Sequence, residues 1–118
     1  MAEHNKLGQA AEELAVKWLI ENGYEVLHRN WRYKQYEIDI IAGKNNFLHI
    51  FEIKARNFSP VGYPEDNVGR KKFKNLQRAA DEYLFQHPGY PWIQYNILAI
   101  TLLDDGGAEF FLLQDIYL

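Results

Sequence analysis

An α/β fold, with a mixed sheet and helices packed on it, is what this sequence predicts. Two segments carry apolar residues at helical spacing. Five others are short runs rich in Ile, Phe, Val, Leu and Tyr, bounded by Gly, Asn, Asp or Pro. They occur in the order helix, three strands, helix, two strands.

The first helix is predicted over residues 5–22, with Leu7, Ala11, Leu14, Ala15 and Trp18 on one face. Asn5 is a candidate cap, and Gly23 stands where a helix ordinarily stops. Residues 24–28, YEVLH, read as a short strand, and residues 36–42 and 47–54 as two more. Between these last two lies Gly43-Lys44-Asn45-Asn46, and asparagine tolerates the left-handed backbone that tight hairpins need. Residues 57–67, with Pro60, Gly62 and Pro64, read as a loop. The second helix is predicted over 69–86, with Phe73, Leu76, Ala80, Tyr83 and Leu84 on its apolar side and His87-Pro88-Gly89 closing it. Residues 92–103 form the longest strand candidate, and Asp104-Asp105-Gly106-Gly107 turns the chain into a last strand at 108–113.

The totals exclude several classes. The 118 residues contain no obvious linker or repeat, so one domain is expected over residues 1–118. A 47% hydrophobic and 15% aromatic composition suffices for a core. With no cysteine, disulfides and thiolate metal sites are ruled out. Ser59 and Thr101 are the sole serine and threonine, which leaves little for serine-type catalysis. The polar start and the lack of an apolar run of roughly 18 residues make a cytoplasmic protein the expectation. A net charge of −3 does not itself point to nucleic acid, but residues 70–78 hold five of the thirteen Lys and Arg residues.

The chemistry concentrates in the predicted hairpin. If Asn45-Asn46 is a two-residue turn, Lys44 pairs with Phe47, Asp39 falls opposite Glu52, and Glu37 falls opposite Lys54. One face would then carry Glu37, Asp39, Glu52 and Lys54, and the other Ile38, Ile40, Phe51 and Ile53. Opposed carboxylates repel, so Lys54, a bound cation or a shared proton should compensate. An oxygen-only donor set suits Mg²⁺ or Mn²⁺ better than zinc. On the first helix Glu13 lies on the solvent face beside Lys17, whereas Glu12 sits at the edge of the apolar stripe and needs a partner, a metal or an arginine. The same pattern also suits a solvated strand face with a Glu37–Lys54 pair. His4, His28, His49 and His87 show no ligand spacing.

Asp39 followed thirteen residues later by Glu52-Ile53-Lys54 resembles the D…(D/E)xK signature of restriction-endonuclease-like nucleases. The wider order is more specific. It runs through Gly8-x-x-x-Glu12-x-x-Ala15, Gly23-Tyr24, Asn30-Trp31-Arg32, Glu37-Ile38-Asp39-x-Ile41-Ala42, Phe51-Glu52-Ile53-Lys54-x-Arg56 and Lys72-x-x-x-Leu76-x-x-x-Ala80-x-x-Tyr83-Leu84. Together these resemble the YraN-like family of uncharacterised bacterial proteins, itself similar to archaeal Holliday-junction resolvases, over residues 5 to 100. The resemblance implies a three-layer α/β fold, restriction-endonuclease-like, with a mixed central sheet flanked by helices. It implies a Mg²⁺- or Mn²⁺-dependent endonuclease acting on DNA, with branched DNA as one substrate class. Asp39 and Glu52 would be metal ligands, Lys54 a catalytic lysine and Glu12 a further acid near the metal. The chain departs from the family in having Tyr36 where a glycine usually precedes the Glu-Ile-Asp motif.

On that reading the Ile53 carbonyl joins Asp39 and Glu52 on the metal, and Arg56, Arg70, Lys72, Lys74 and Arg78 bind phosphates. Phe73, Leu76 and Trp31 are expected in the core. Analogy with junction resolvases adds a homodimer to the expectations. Two other readings stay open: a non-catalytic nucleic-acid-binding module on the same fold, and a protein-interaction domain using residues 88–95, PGYPWIQY.

Overall fold

A computed structural model describes residues 2–63 and 68–116, with side chains from residue 8 onward. The chain forms α1 (Ala2–Glu21), β1 (Glu25–Tyr33), β2 (Tyr36–Lys44), β3 (Phe47–Asn57), α2 (Arg70–Gln86), β4 (Ile93–Leu102) and β5 (Ala108–Leu113). The strands lie in the order β1-β2-β3-β4-β5. Three of the neighbouring pairs are antiparallel, while β3 and β4 are parallel and are joined through α2. The sheet is therefore mixed, as expected.

Each face carries one helix, which gives three layers. Ala11, Ala15 and Leu19 of α1 pack with Tyr24, Ile40, Ala42, Phe51, Leu98 and Ile100. On the other face Phe73, Leu76, Ala79, Ala80 and Tyr83 of α2 pack with Ile38, Ile41, Leu48, Ile50 and Ile97. The apolar stripes anticipated for both helices are the ones buried, with Leu14, Trp18 and Leu84 partly buried beside them. Helix α1 runs past Asn5 to Ala2, so Asn5 lies within the helix and does not cap it. The side chains of His4 and Leu7, and the loop residues Pro64 to Asn67, lie outside the described residues. At its other end α1 stops where the sequence predicts: Gly23 takes φ +88, and the Tyr24 N–H reaches back to the Leu19 carbonyl at 2.9 Å.

The hairpin turn is the expected two-residue one. Asn45 and Asn46 have φ 54 and 68, and Lys44 pairs with Phe47. Lys44 Nζ also donates to the Asn22 carbonyl at 2.9 Å and lies 4.6 Å from the centre of the Tyr24 ring. Strand β1 extends well beyond His28, through a bulge between Val26 and His28, to Tyr33. No described helix is long and apolar enough to cross a membrane.

Candidate functional site

The registered pairing of β2 with β3 runs from the turn only as far as Ile40 opposite Phe51. Beyond that, β2 stays with β1 back to Tyr36, and β3 continues with β4 to Asn57. A notch opens between the two strands, and Asp39 and Glu52 are the first residues past the last registered pair. Asp39 Oδ2 accepts a hydrogen bond from the Ile53 N–H at 2.9 Å. The carboxylate thereby serves the backbone donor that the departing strand leaves behind.

A change of phase in β2 aims Asp39 into this notch. Ile38 and Ile41 lie under α2, whereas Ile40 and Ala42 lie under α1. Strict alternation would have put Ile38 with Ile40, so the expectation of Ile38, Ile40, Phe51 and Ile53 on one face is corrected at Ile38. Strand β1 jogs at the facing position, where Asn30 has φ 51. Two consecutive residues then turn toward α1. Arg29 donates from Nε to Glu12 Oε1 at 3.0 Å and from Nη2 to Glu13 Oε1 at 2.7 Å. Asn30 Nδ2 lies 2.9 Å and 3.0 Å from the two carboxylate oxygens of Glu12. Trp31 returns to the α2 side, where it meets Tyr83 edge-on at 5.4 Å between ring centres. Glu12 thus has the arginine partner left open by its position on the helix, and Glu13 pairs with Arg29 instead of Lys17.

The four charged residues expected on one face are arranged differently. Glu37 and Asp39 line a cleft of about 640 Å³ on the α1 side, together with Glu12, Asn30, Arg32 and Ile53. Glu37 pairs loosely with Arg32 at 3.6 Å, not with Lys54. Glu52 faces the other way. It is 5% exposed and receives Lys72 Nζ of α2 at 2.5 Å. Lys54 follows Glu52 on that face, and among the described residues it makes no hydrogen bond or ion pair.

The electrostatics connect the two sides of the notch. Burial, followed by the charge of Glu52, pushes the Asp39 carboxyl up to about 6, against the pull of the Ile53 N–H and Lys72. Desolvation acts to lower Lys72, but its hydrogen bond to Glu52 and the charges of Glu52, Asp39 and Glu37 outweigh it and hold the ammonium above its ordinary range. Among the described residues no three His, Asp or Glu side chains converge as a ready ligand set. The donor chemistry nonetheless fits a hard cation: two oxygen donors with excess negative charge, one of them already attracting an ammonium. Asp39 and Glu52 are the two carboxylates that could hold such an ion.

The basic residues divide. Lys72, read from sequence as a phosphate binder, sits on Glu52. Arg78 Nη1 donates to the hydroxyl of Tyr36 at 3.0 Å, so the residue that departs from the family glycine anchors α2 to β2. Arg56 Nε donates to Thr101 Oγ1 at 3.0 Å, and its guanidinium lies 4.0 Å over the Tyr63 ring. Arg70 and Lys74 are exposed. The Arg29–Asn30 clamp was not foreseen, although Asn30-Trp31-Arg32 stood among the recognisable motifs. His28 and His87 are exposed and flank Tyr83, whereas His49 is buried against Tyr24 and Phe51.

The family profile of Uncharacterised protein family UPF0102 matches residues 11–100. The chain belongs to UPF0102. Its UPF0102 relatives include a protein of Bacteroides thetaiotaomicron, 49% identical over 71% of this chain and 69% of its own length. One from Flavobacterium psychrophilum is 41% identical over 85% and 84%. One from Christiangramia forsetii is 37% identical over 99% and 98% of the two chains. The match of this UPF0102 chain spans Glu12, Asp39, Glu52, Lys54 and Lys72, so every acid and lysine of the notch lies within the family segment.

Proposed function

We propose that the notch between β2 and β3 is the centre of a metal-dependent nuclease that hydrolyses phosphodiester bonds in DNA, including branched DNA, in the cytoplasm. The observation that carries this is the pair Asp39 and Glu52, two carboxylates past the last strand pairing, one accepting the Ile53 N–H and the other the Lys72 ammonium. A Mg²⁺ or Mn²⁺ ion held by Asp39, Glu52 and the Ile53 carbonyl would supply positive charge to the scissile phosphate and acidify a water. Lys54, unengaged beside Glu52, orients the attacking water and meets the charge that develops on the phosphate. Lys72, paired with Glu52, would be free to meet a phosphate if Glu52 held the ion. Glu12, fixed by Arg29 and Asn30, borders the same cleft as Asp39 and serves as the further acid. Arg70, Lys74, Arg56 and Arg78 set the register of the phosphate backbone.

A second reading, a nucleic-acid-binding module without catalysis, is favoured by one observation: Glu52 already has a charge partner in Lys72, 2.5 Å away. Labelled single strand, duplex, flap and four-way junction, each with Mn²⁺, separate the two. Cleavage by the wild type that disappears in an identically purified Glu52→Gln protein supports the nuclease. Salt-sensitive binding that ignores Mg²⁺ and survives the substitution supports the binding module. Paired cuts on a junction would call for a homodimer, which light scattering reads directly.

A further inference from the structure

Two histidines far apart in the chain meet at one corner of the α2 side. His28 belongs to β1 and His87 follows the last residue of α2, yet their ring centres lie 5.6 Å apart. The bulge in β1 brings the first one there. Val26 packs in the α1-side core, and the register then shifts before His28. Leu27 and His28 both turn to the α2 side, Leu27 against the core and His28 against Tyr83. Strict alternation would have sent His28 to the other face, and a bulge re-aims a side chain in this way.

The end of α2 fixes the second. The Tyr83 carbonyl accepts the His87 backbone N–H at 2.8 Å and lies 3.2 Å from Nδ1 of the same residue. A carbonyl oxygen only accepts, so Nδ1 carries the proton and the neutral ring keeps its lone pair on Nε2. Metal-binding imidazoles are held in this manner, with the other ring nitrogen donating to a carbonyl that sets tautomer and orientation. The buried Tyr83 ring stacks on His87 at 4.2 Å and meets His28 edge-on at 5.3 Å, so it supports both. Both histidines are exposed, and among the described residues His28 makes no hydrogen bond or ion pair. The last turn of α2 contains no basic residue, although positive charge is favoured at its C-terminal carbonyls.

We propose that His28 and His87 form a two-imidazole site for a divalent ion of the zinc class, with water in the remaining positions. At Zn–N distances of about 2.0–2.1 Å, two imidazoles on one tetrahedral ion have ring centres roughly 5 Å apart, close to the separation here. Imidazole nitrogen suits zinc-like ions, whereas the oxygen donors of the notch suit Mg²⁺ or Mn²⁺. Lys72 lies near the start of α2 and His87 follows its end, so the two sites stand roughly 20 Å apart along the helix. The histidine site does not depend on the nuclease reading. Its ion would tie the β1 bulge to the helix that brings Lys72 to Glu52.

The test is a calorimetric titration of the untagged full chain with Zn²⁺, in a buffer that does not chelate. The wild type is compared with the His28→Gln, His87→Gln, His4→Gln and Glu52→Gln proteins, and urea melts without metal check that each is folded. The expected result is a Zn²⁺ site weakened roughly tenfold or more by His28→Gln and by His87→Gln, and changed less than about twofold by the other two. Zn²⁺ should also raise the melting temperature of the wild type and of neither of those two weakened variants. Ring nitrogen shifts should report Nε2 of His87 as the ligand atom, with Nδ1 still protonated. No binding at millimolar Zn²⁺ overturns the proposal. So does a loss confined to one of the two histidines. Binding that only Glu52→Gln or His4→Gln removes also overturns it, because the ion then sits in the notch or on His4.

Discussion

Asp39→Asn should stabilise the protein, and the gain should grow with pH. The folded carboxyl sits at about 6 against an ordinary 3.8, a rise of about two units caused first by burial and then by Glu52. Between those values the folded state holds a proton that the unfolded state releases, so stability falls as pH rises through the window and levels off above it. At about 1.4 kcal/mol per unit, the ionised carboxylate costs the folded state on the order of 3 kcal/mol at pH 8 and almost nothing below pH 4. Asparagine retains an oxygen for the Ile53 N–H and carries no charge. Urea melts at pH 4, 6 and 8 in EDTA, analysed at constant slope, read the difference between the two proteins. Since Asp39 and Glu52 titrate together, the measured gain belongs to the pair. A substitution that destabilises at pH 8, or that gives the same gain at pH 4 and pH 8, would refute the account of Asp39 as a desolvated carboxylate held beside a second charge.

Lys72→Met leaves Glu52 buried without its cation and should cost about 2 kcal/mol by urea melt at pH 7.5, less than a fully buried pair because Lys72 is half exposed; a cost under 0.5 kcal/mol would show that Glu52 needs no partner. Asn30→Gly keeps the left-handed backbone and loses the bonds to Glu12, about 1 kcal/mol, whereas Asn30→Ala should lose roughly 1 kcal/mol more through strain; equal losses would remove the role assigned to the φ of 51°. Millimolar Mn²⁺ should raise the melting temperature of the wild type by several degrees and leave the Asp39→Asn and Glu52→Gln proteins unmoved, and a uniform shift in all three would place the ion elsewhere.

Much of the fold was legible because its signals are local. Asn45 and Asn46 adopt the backbone that asparagine tolerates, and that alone set the register of β2 on β3. The apolar stripes of α1 and α2 named the core residues for the same reason. The sequence reads β1 only as far as His28 because a bulge and a left-handed Asn30 scramble the two-residue period between Val26 and Trp31. The same jog moved Ile38 to the opposite core. Asp39 and Glu52 were found through motif spacing, which is carried along the chain. The attachment of Lys72 to Glu52 and of Arg78 to Tyr36 depends on how α2 docks over the sheet, and no short stretch of sequence encodes that angle.

The parallel pairing of β3 with β4 has a kinetic corollary. The β1-β2-β3 meander closes through short turns, but β3 meets β4 only after thirty-five residues of intervening chain have been gathered through α2. If the local meander forms first, the two carboxylates meet in a partly formed sheet before the ammonium of α2 can reach them. Mild acid should accelerate that first closure by removing the repulsion, while neutral solution makes docking of α2 the event that relieves it. The refolding rate, followed from pH 5 to pH 8 in the wild type and the Lys72→Met protein, would reveal at which stage of assembly the charge is neutralised.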